Sequence, residues 1–136
     1  MTYILDVCAL IALFKREQGA DTIRALLDEA LAKQSVIYMN IVNLIEVHYG
    51  FYRALGPEKS GLVLEQIYTM PIHFINTITT AVFSEASRLK ARYALSLADA
   101  IGLATAIDLS GTFVTADHHE LETVASKEAL NFLWFR

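Results

Sequence analysis

The chain has 136 residues, 54% of them hydrophobic and 19% charged, with 15 Asp and Glu against 11 Lys and Arg for a formal charge of −4. That length fits one domain over 1–136 that buries about two-thirds of its unfolded surface without staples. No apolar run reaches the roughly 18 residues a membrane-spanning helix requires, and the single cysteine excludes an internal disulfide or a cysteine-rich zinc site.

The opening, MTYILDVCALIALF, has an acid at its centre and no basic residue ahead of its apolar stretch, unlike a secretory signal. With the lone thiol, this sets a reducing, cytoplasmic expectation. Tyr3–Val7 reads as a short buried strand, and Cys8–Arg16 and Thr22–Lys33 read as helices. Val36–Met39 is a second strand, with Asn40 as N-cap of a helix over Ile41–Ala54. Gly56-Pro57 breaks the chain and starts a helix to about Thr69. Pro71–Ile75 is a third strand. Ala81–Ala94 is an amphipathic helix with Val82, Ala86, Leu89 and Tyr93 along one stripe. Ala98–Leu109 is a helix of small residues, Thr112–Thr115 a fourth strand, His118 the start of a short helix, and Asn131–Phe135 a fifth strand. Short apolar strands alternating with helices predict an α/β fold, a parallel sheet covered on both faces. Its active site belongs at the carboxyl ends of the strands, where Asp6 and Asp117 fall.

The placement of the acids carries the chemistry. Asp6 is the only charged residue from Met1 to Phe14, Glu46 the only one from Gln34 to Tyr52, and Asp99 the only one from Tyr93 to Ile107; Asp117 follows an uncharged run from Leu109. Burying an unpaired carboxylate costs several kcal/mol, so it needs a partner, hydrogen bonds or a cation. Four together raise one another's pKa, and a divalent ion relieves both penalties; hard oxygen ligands suit Mg²⁺ or Mn²⁺. On their helices, Glu46 shares a lane with Asn43 and Gly50, and Asp99 with Gly102 and Ala106, small residues that would leave room for metal and substrate. Each acid also has a plain structural reading: Asp6 capping the next helix, Asp99 paired with Ser96, Asp117 with Glu120, and Glu46 paired with a distant Arg. Removing these four from the fifteen acids leaves eleven, equal to the eleven Lys and Arg, so net charge does not decide against a nucleic-acid partner.

The segments YILDVCALIALF, NLIEVHYG, LSLADAIGLATAI and TFVTADHHEL resemble the four signature blocks of the PIN (PilT N-terminus) domain, in the family's order and spacing and across nearly the whole chain. The resemblance implies a three-layer α/β/α sandwich with a parallel sheet of about five strands. It also implies a ribonuclease whose Asp6, Glu46, Asp99 and Asp117 are both catalytic residues and ligands of one or two Mg²⁺ or Mn²⁺ ions. Asp6 matches the first-strand acid, Glu46 the helix acid, Asp99 the acid of the LADA block and Asp117 the acid after the fourth strand. PIN proteins this short are mostly toxins of VapBC-type toxin–antitoxin pairs, which implies a small antitoxin partner over the groove, a homodimer, an RNA substrate, and 5′-phosphate and 3′-hydroxyl products. One departure is Cys8, two residues after the first acid, where the family usually has Ser or Thr.

Arg88, Lys90 and Arg92, then Lys15, Arg16 and Arg53, are candidate cations for substrate phosphates, with a solvated helix face as the alternative. His118 and His119 flank Asp117 as candidate bases or plain first-turn residues, and Asn43 and Thr115 as supporting donors. Phe132, Trp134 and Phe135 are candidates for base stacking, and Tyr49, Phe51 and Tyr52 for an antitoxin surface, with core packing the alternative for both groups. Two competing functions remain. One is a PIN module that binds RNA or an antitoxin without turnover. The other is a phosphatase or receiver built on Asp6. The second lacks its residues: haloacid-type phosphatases need a second acid where Cys8 stands, and receivers need a second acid pair near the first strand and a late Lys, neither of which is evident. Cys8 is itself a poor nucleophile, because the phosphate loop of tyrosine phosphatases needs Arg where Phe14 stands.

Overall fold

A computed structural model describes residues 1–136 as a five-stranded, wholly parallel sheet with six helices. In chain order the elements are β1 (Thr2–Leu5), α1 (Val7–Lys15), α2 (Ala20–Leu31), β2 (Val36–Asn40), α3 (Ile41–Tyr68), β3 (His73–Ile75), α4 (Thr80–Arg92), α5 (Leu97–Asp108), β4 (Thr112–Thr115), α6 (His118–Lys127) and β5 (Asn131–Trp134). The strand order is β3-β2-β1-β4-β5. The chain therefore builds outward from β1 in one direction, then returns to add β4 and β5 on its other side. That reversal places the topological switch between β1 and β4, the position where open α/β sheets bind ligands beyond their carboxyl ends.

Period-two alternation along the central strands divides the core between the two faces. Tyr3, Leu5 and Val114 join a cluster with α1, α2 and α3, including Leu10, Ile23 and Val47. Ile4 and Phe113 point the other way into a cluster with α4, α5 and α6, including Leu89, Leu103 and Leu121. This is the expected three-layer α/β/α arrangement. Val82, Ala86 and Leu89 are the buried stripe of α4, as their spacing predicts, whereas Tyr93 is extended at φ −128° and caps the helix instead of continuing it.

Local chemistry explains the boundaries. Gly56 takes φ 86° and ψ 173°, conformations open to glycine, so α3 bends there; the Ser60 hydroxyl donates to the Gly56 carbonyl at 2.7 Å. β1 stops at Leu5, one residue pair before the predicted end at Val7, because Asp6 turns out of the sheet to cap α1. Similarly, α5 begins at Leu97 because the Ser96 hydroxyl accepts the Asp99 N–H at 3.1 Å.

Candidate metal centre

β1 and β4 are hydrogen-bonded neighbours, with Leu5 opposite Val114. Asp6 and Asp117 therefore follow the carboxyl ends of adjacent parallel strands, at the same end of the sheet. Glu46, on the second turn of α3, and Asp99, on the first turn of α5, approach from the two helical layers. All four line one open cleft of about 470 Å³. Acids spread over more than a hundred positions of sequence thus share a single solvent space.

Within the cleft Asp6 is the anchored member and only 4% exposed. Its Oδ1 accepts the Val7 N–H at 2.7 Å, and its Oδ2 accepts the Thr115 hydroxyl at 2.7 Å and the Cys8 thiol at 3.4 Å. No cation pairs with it. Desolvation pushes its pKa up against the pull of those three donors, and the Asp117 charge adds to the rise. Asp99 is half-buried and pushed up to about 6, first by desolvation, then by the charge of Asp6, with Asp117 and Glu46 adding less. These carboxylates share one cleft, and no ion pair is made to any of the four. A chain gains nothing in stability from such a set unless a cation resolves it. The donors are all hard oxygen, which fits Mg²⁺ or Mn²⁺. The four ring the cleft rather than meeting at a point, and no three converge on one ion-sized position.

The plain structural readings of three acids hold at the same time. Asp6 caps α1, Asp117 accepts the Glu120 N–H at 3.1 Å to cap α6, and Asp99 takes part in the Ser96 cap of α5. Capping fixes the Asp6 and Asp117 carboxylates at helix N-termini, where negative charge is best tolerated, and Asp99 lies in the first turn of α5, its N–H bonded to the Ser96 cap. Capping and convergence are therefore not competing explanations.

Thr115 is the supporting donor the sequence suggested: besides bonding Asp6, it accepts the Asp117 N–H at 3.1 Å and ties the two strand-end acids together. Asn43, fully buried, donates to the Ala98 carbonyl at 3.2 Å and links the helices that carry Glu46 and Asp99. Cys8 occupies the expected hydroxyl position. Its sulfur accepts the Ala116 N–H at 3.4 Å, and burial followed by the Asp6 charge pushes its pKa up to about 12, so it stays a thiol and donates to Asp6.

One expectation is corrected, and several open alternatives resolve to their plain structural reading. Gly102 does not open space for metal or substrate; it is buried, and a Cβ there would meet Phe113 at 3.1 Å and the Asn43 oxygen at 3.2 Å. The small-residue lane lets α5 approach the sheet and α3. Arg88 is committed to Glu85 at 2.8 Å and Glu128 at 2.7 Å, and Arg92 lies 3.8 Å from Glu128; neither lines the cleft, and nor do Lys15, Arg16, Lys90 or Arg53. His118 is exposed, bonded to Glu122 at 2.8 Å and stacked on Trp134 at 4.3 Å, while His119 faces a different hollow. Trp134 also stacks on Phe132 at 5.1 Å, and Phe135 is core. Phe51 is likewise core, whereas Tyr49 and Tyr52 are about half exposed. Sequence reasoning missed two residues that reach the cleft, Glu17 and Arg136. Neither lies in a signature block, and only the return of β5 beside β4 brings Arg136 there.

A family model described as the PIN domain matches residues 3–127. Among solved structures, the chain resembles VapBC2 of Rickettsia felis bound to a DNA fragment from their promoter, at 19% identity, 98% of each chain and a TM-score of 0.78. DNA-bound VapBC of Salmonella typhimurium aligns at 15% identity over 100% of this chain and 99% of the other, with a TM-score of 0.75. VapC20 of Mycobacterium tuberculosis, a sarcin–ricin loop cleaving toxin, aligns at 15% identity over 82% and 86%, with a TM-score of 0.56. No curated protein is a significant match to the sequence.

Proposed function

The chain belongs to the PIN domain family, whose members are generally metal-dependent nucleases, and on that premise we propose that it is a ribonuclease that hydrolyses RNA phosphodiester bonds. The observation that carries this reading is the placement of four acids around one cleft at the switch point of the sheet, one of them only 4% exposed and without a counter-charge. The full length 1–136 acts as one PIN-like unit. In it Asp6, Glu46, Asp99 and Asp117 are the catalytic residues and the ligands of one or two Mg²⁺ or Mn²⁺ ions.

When bound, the divalent ion supplies Lewis acidity toward the attacking water and the phosphoryl and leaving oxygens. The protein's own contribution is placement. Thr115 and the Val7 N–H hold the Asp6 carboxylate in one orientation, the Asn43–Ala98 bond fixes the helices that bear Glu46 and Asp99, and the open cleft admits a phosphodiester. Similarity to VapBC complexes and to a toxin that cleaves the sarcin–ricin loop supports the role of toxin in a VapBC-type pair. Its partner would be a small antitoxin, and its working state a cytoplasmic homodimer. No helix is long and apolar enough to cross a membrane.

The test is metal removal and return. Purified protein is expected to cut single-stranded RNA with added Mn²⁺, to stop in excess EDTA, and to resume when Mn²⁺ is restored, leaving 5′-phosphate ends. Cleavage that persists unchanged in EDTA would sink the reading.

A further inference from the structure

Arg136 is the one cation among the side chains that line the acid cleft, which it shares with five carboxylates, those of Asp6, Glu17, Glu46, Asp99 and Asp117. Its guanidinium is held, not free. One amino group, Nη1, donates to the Glu17 carboxylate at 3.3 Å and to the Gln18 carbonyl at 3.1 Å. The guanidinium carbon lies 5.6 Å from the centroid of the Phe135 ring. The Arg136 main-chain carbonyl is tied to His118 Nε2 at 2.7 Å, and His118 in turn stacks on Trp134. All four anchors occupy the Nη1 side, one ring face and the backbone.

What remains is the edge formed by Nε–H and the second amino group, which has no protein partner while the side chain is about one-third exposed. That edge is the two-pronged donor set that matches a phosphate, and its anchors have already removed most of the rotamer freedom an arginine loses on binding. Arg88 is saturated by Glu85 and Glu128, and neither it nor Lys90 nor Arg92 of α4 lines the cleft. We infer that Arg136 is the substrate-binding cation of this cleft, receiving a non-bridging phosphate oxygen of the RNA beside the four acids. The inference rests on the ribonuclease reading above and names the residue that lets a polyanion enter a negatively charged cleft.

The test is steady-state cleavage of a fluorophore–quencher oligoribonucleotide in Mn²⁺ over a series of NaCl concentrations. Arg136→Gln keeps amide donors for Glu17 and Gln18 but removes the charge; Arg136→Lys keeps the charge. Arg136→Gln is expected to raise KM about tenfold with kcat within about threefold. The slope of log KM against log salt should fall by about 0.7, the loss of one contact to single-stranded phosphate. Arg136→Lys should recover most of KM and the wild-type slope, and this arm stands alone if the Gln variant does not fold. A wild-type KM and salt slope in Arg136→Gln, or a Lys variant as impaired as Gln with a lowered thermal midpoint, would overturn the inference in favour of a purely structural tie. If wild-type protein itself does not cleave, the ribonuclease reading fails and the arginine is judged on anisotropy of the same labelled RNA. Equal Kd for wild type and Arg136→Gln then refutes it.

Discussion

Asp99→Asn is expected to lower Mn²⁺-dependent RNA cleavage by about 10²–10³-fold while making the protein more stable in EDTA. Asn keeps the shape and one oxygen but not the charge, and removing one preorganised electrostatic partner of a reaction costs on that order. The stability gain follows from the cost of burying the Asp99 charge beside other acids. The Asp99 carboxyl has an ordinary value of 3.8 and is pushed up to about 6 in the folded cleft. Its charged form is therefore disfavoured by folding. That penalty is absent below about pH 4, grows as the pH rises between the two values, and is complete above about 6. Asp99 is half-buried, so solvent screening trims the gain from replacing it to roughly 1–2 kcal/mol. A chain this long should show a rise in Tm of about 3–8 °C at pH 7.5, vanishing near pH 4. Scanning calorimetry in EDTA at the two pH values checks it. A variant that is both inactive and less stable at pH 7.5 would mark Asp99 as a fold residue.

Phe113→Ala is expected to destabilise the fold by about 3–5 kcal/mol, with a fall in Tm of about 10–20 °C. Phe113 is fully buried on β4 and meets Phe132 edge-on at 6.0 Å. Its ring is also the surface against which Gly102 of α5 rests, so truncation leaves a cavity between sheet and helix that neither rigid element can close. The same gap loosens the helix that carries Asp99 against the strand that leads to Asp117. Activity per folded molecule should fall along with stability. Urea unfolding followed by circular dichroism reads the loss; a change below about 1.5 kcal/mol would mean that α5 is not seated on this ring.

Much of this architecture is legible in the sequence because its signals are local. Alternating apolar runs such as TYIL and TFVT, the Asn40 cap and the Gly56-Pro57 break each fix their element through backbone chemistry within a few residues. The isolation of the four acids among apolar neighbours marks them as enclosed; the structure buries Asp6, leaves Glu46, Asp99 and Asp117 partly exposed, and places all four around one cleft. What the sequence does not carry is the identity of spatial neighbours. The basic cluster at Arg88 and Arg92 looks available from its spacing, yet Glu128 claims it from forty and thirty-six positions away. Gly102 looks like space for substrate, yet Phe113 fills that space from the adjacent strand. Arg136 and Glu17 reach the cleft only through the pairing of β5 with β4 and the turn after α1, both long-range outcomes of topology. Helix and strand limits shift by a residue or two for a related reason: Asp6 and Ser96 act as caps, and a cap belongs to the element after it.

Sharing of one cation by residues from four separate elements is most directly tested by electron paramagnetic resonance of Mn²⁺ at pH 7.5. Addition of wild-type protein should deplete the signal of free Mn²⁺. The Asp6→Asn and Asp99→Asn proteins, folded by circular dichroism, should bind at least about tenfold more weakly, as loss of even an outlying metal partner commonly does. Wild-type protein that leaves the free-ion signal untouched, or either variant binding as tightly as wild type, would contradict the account.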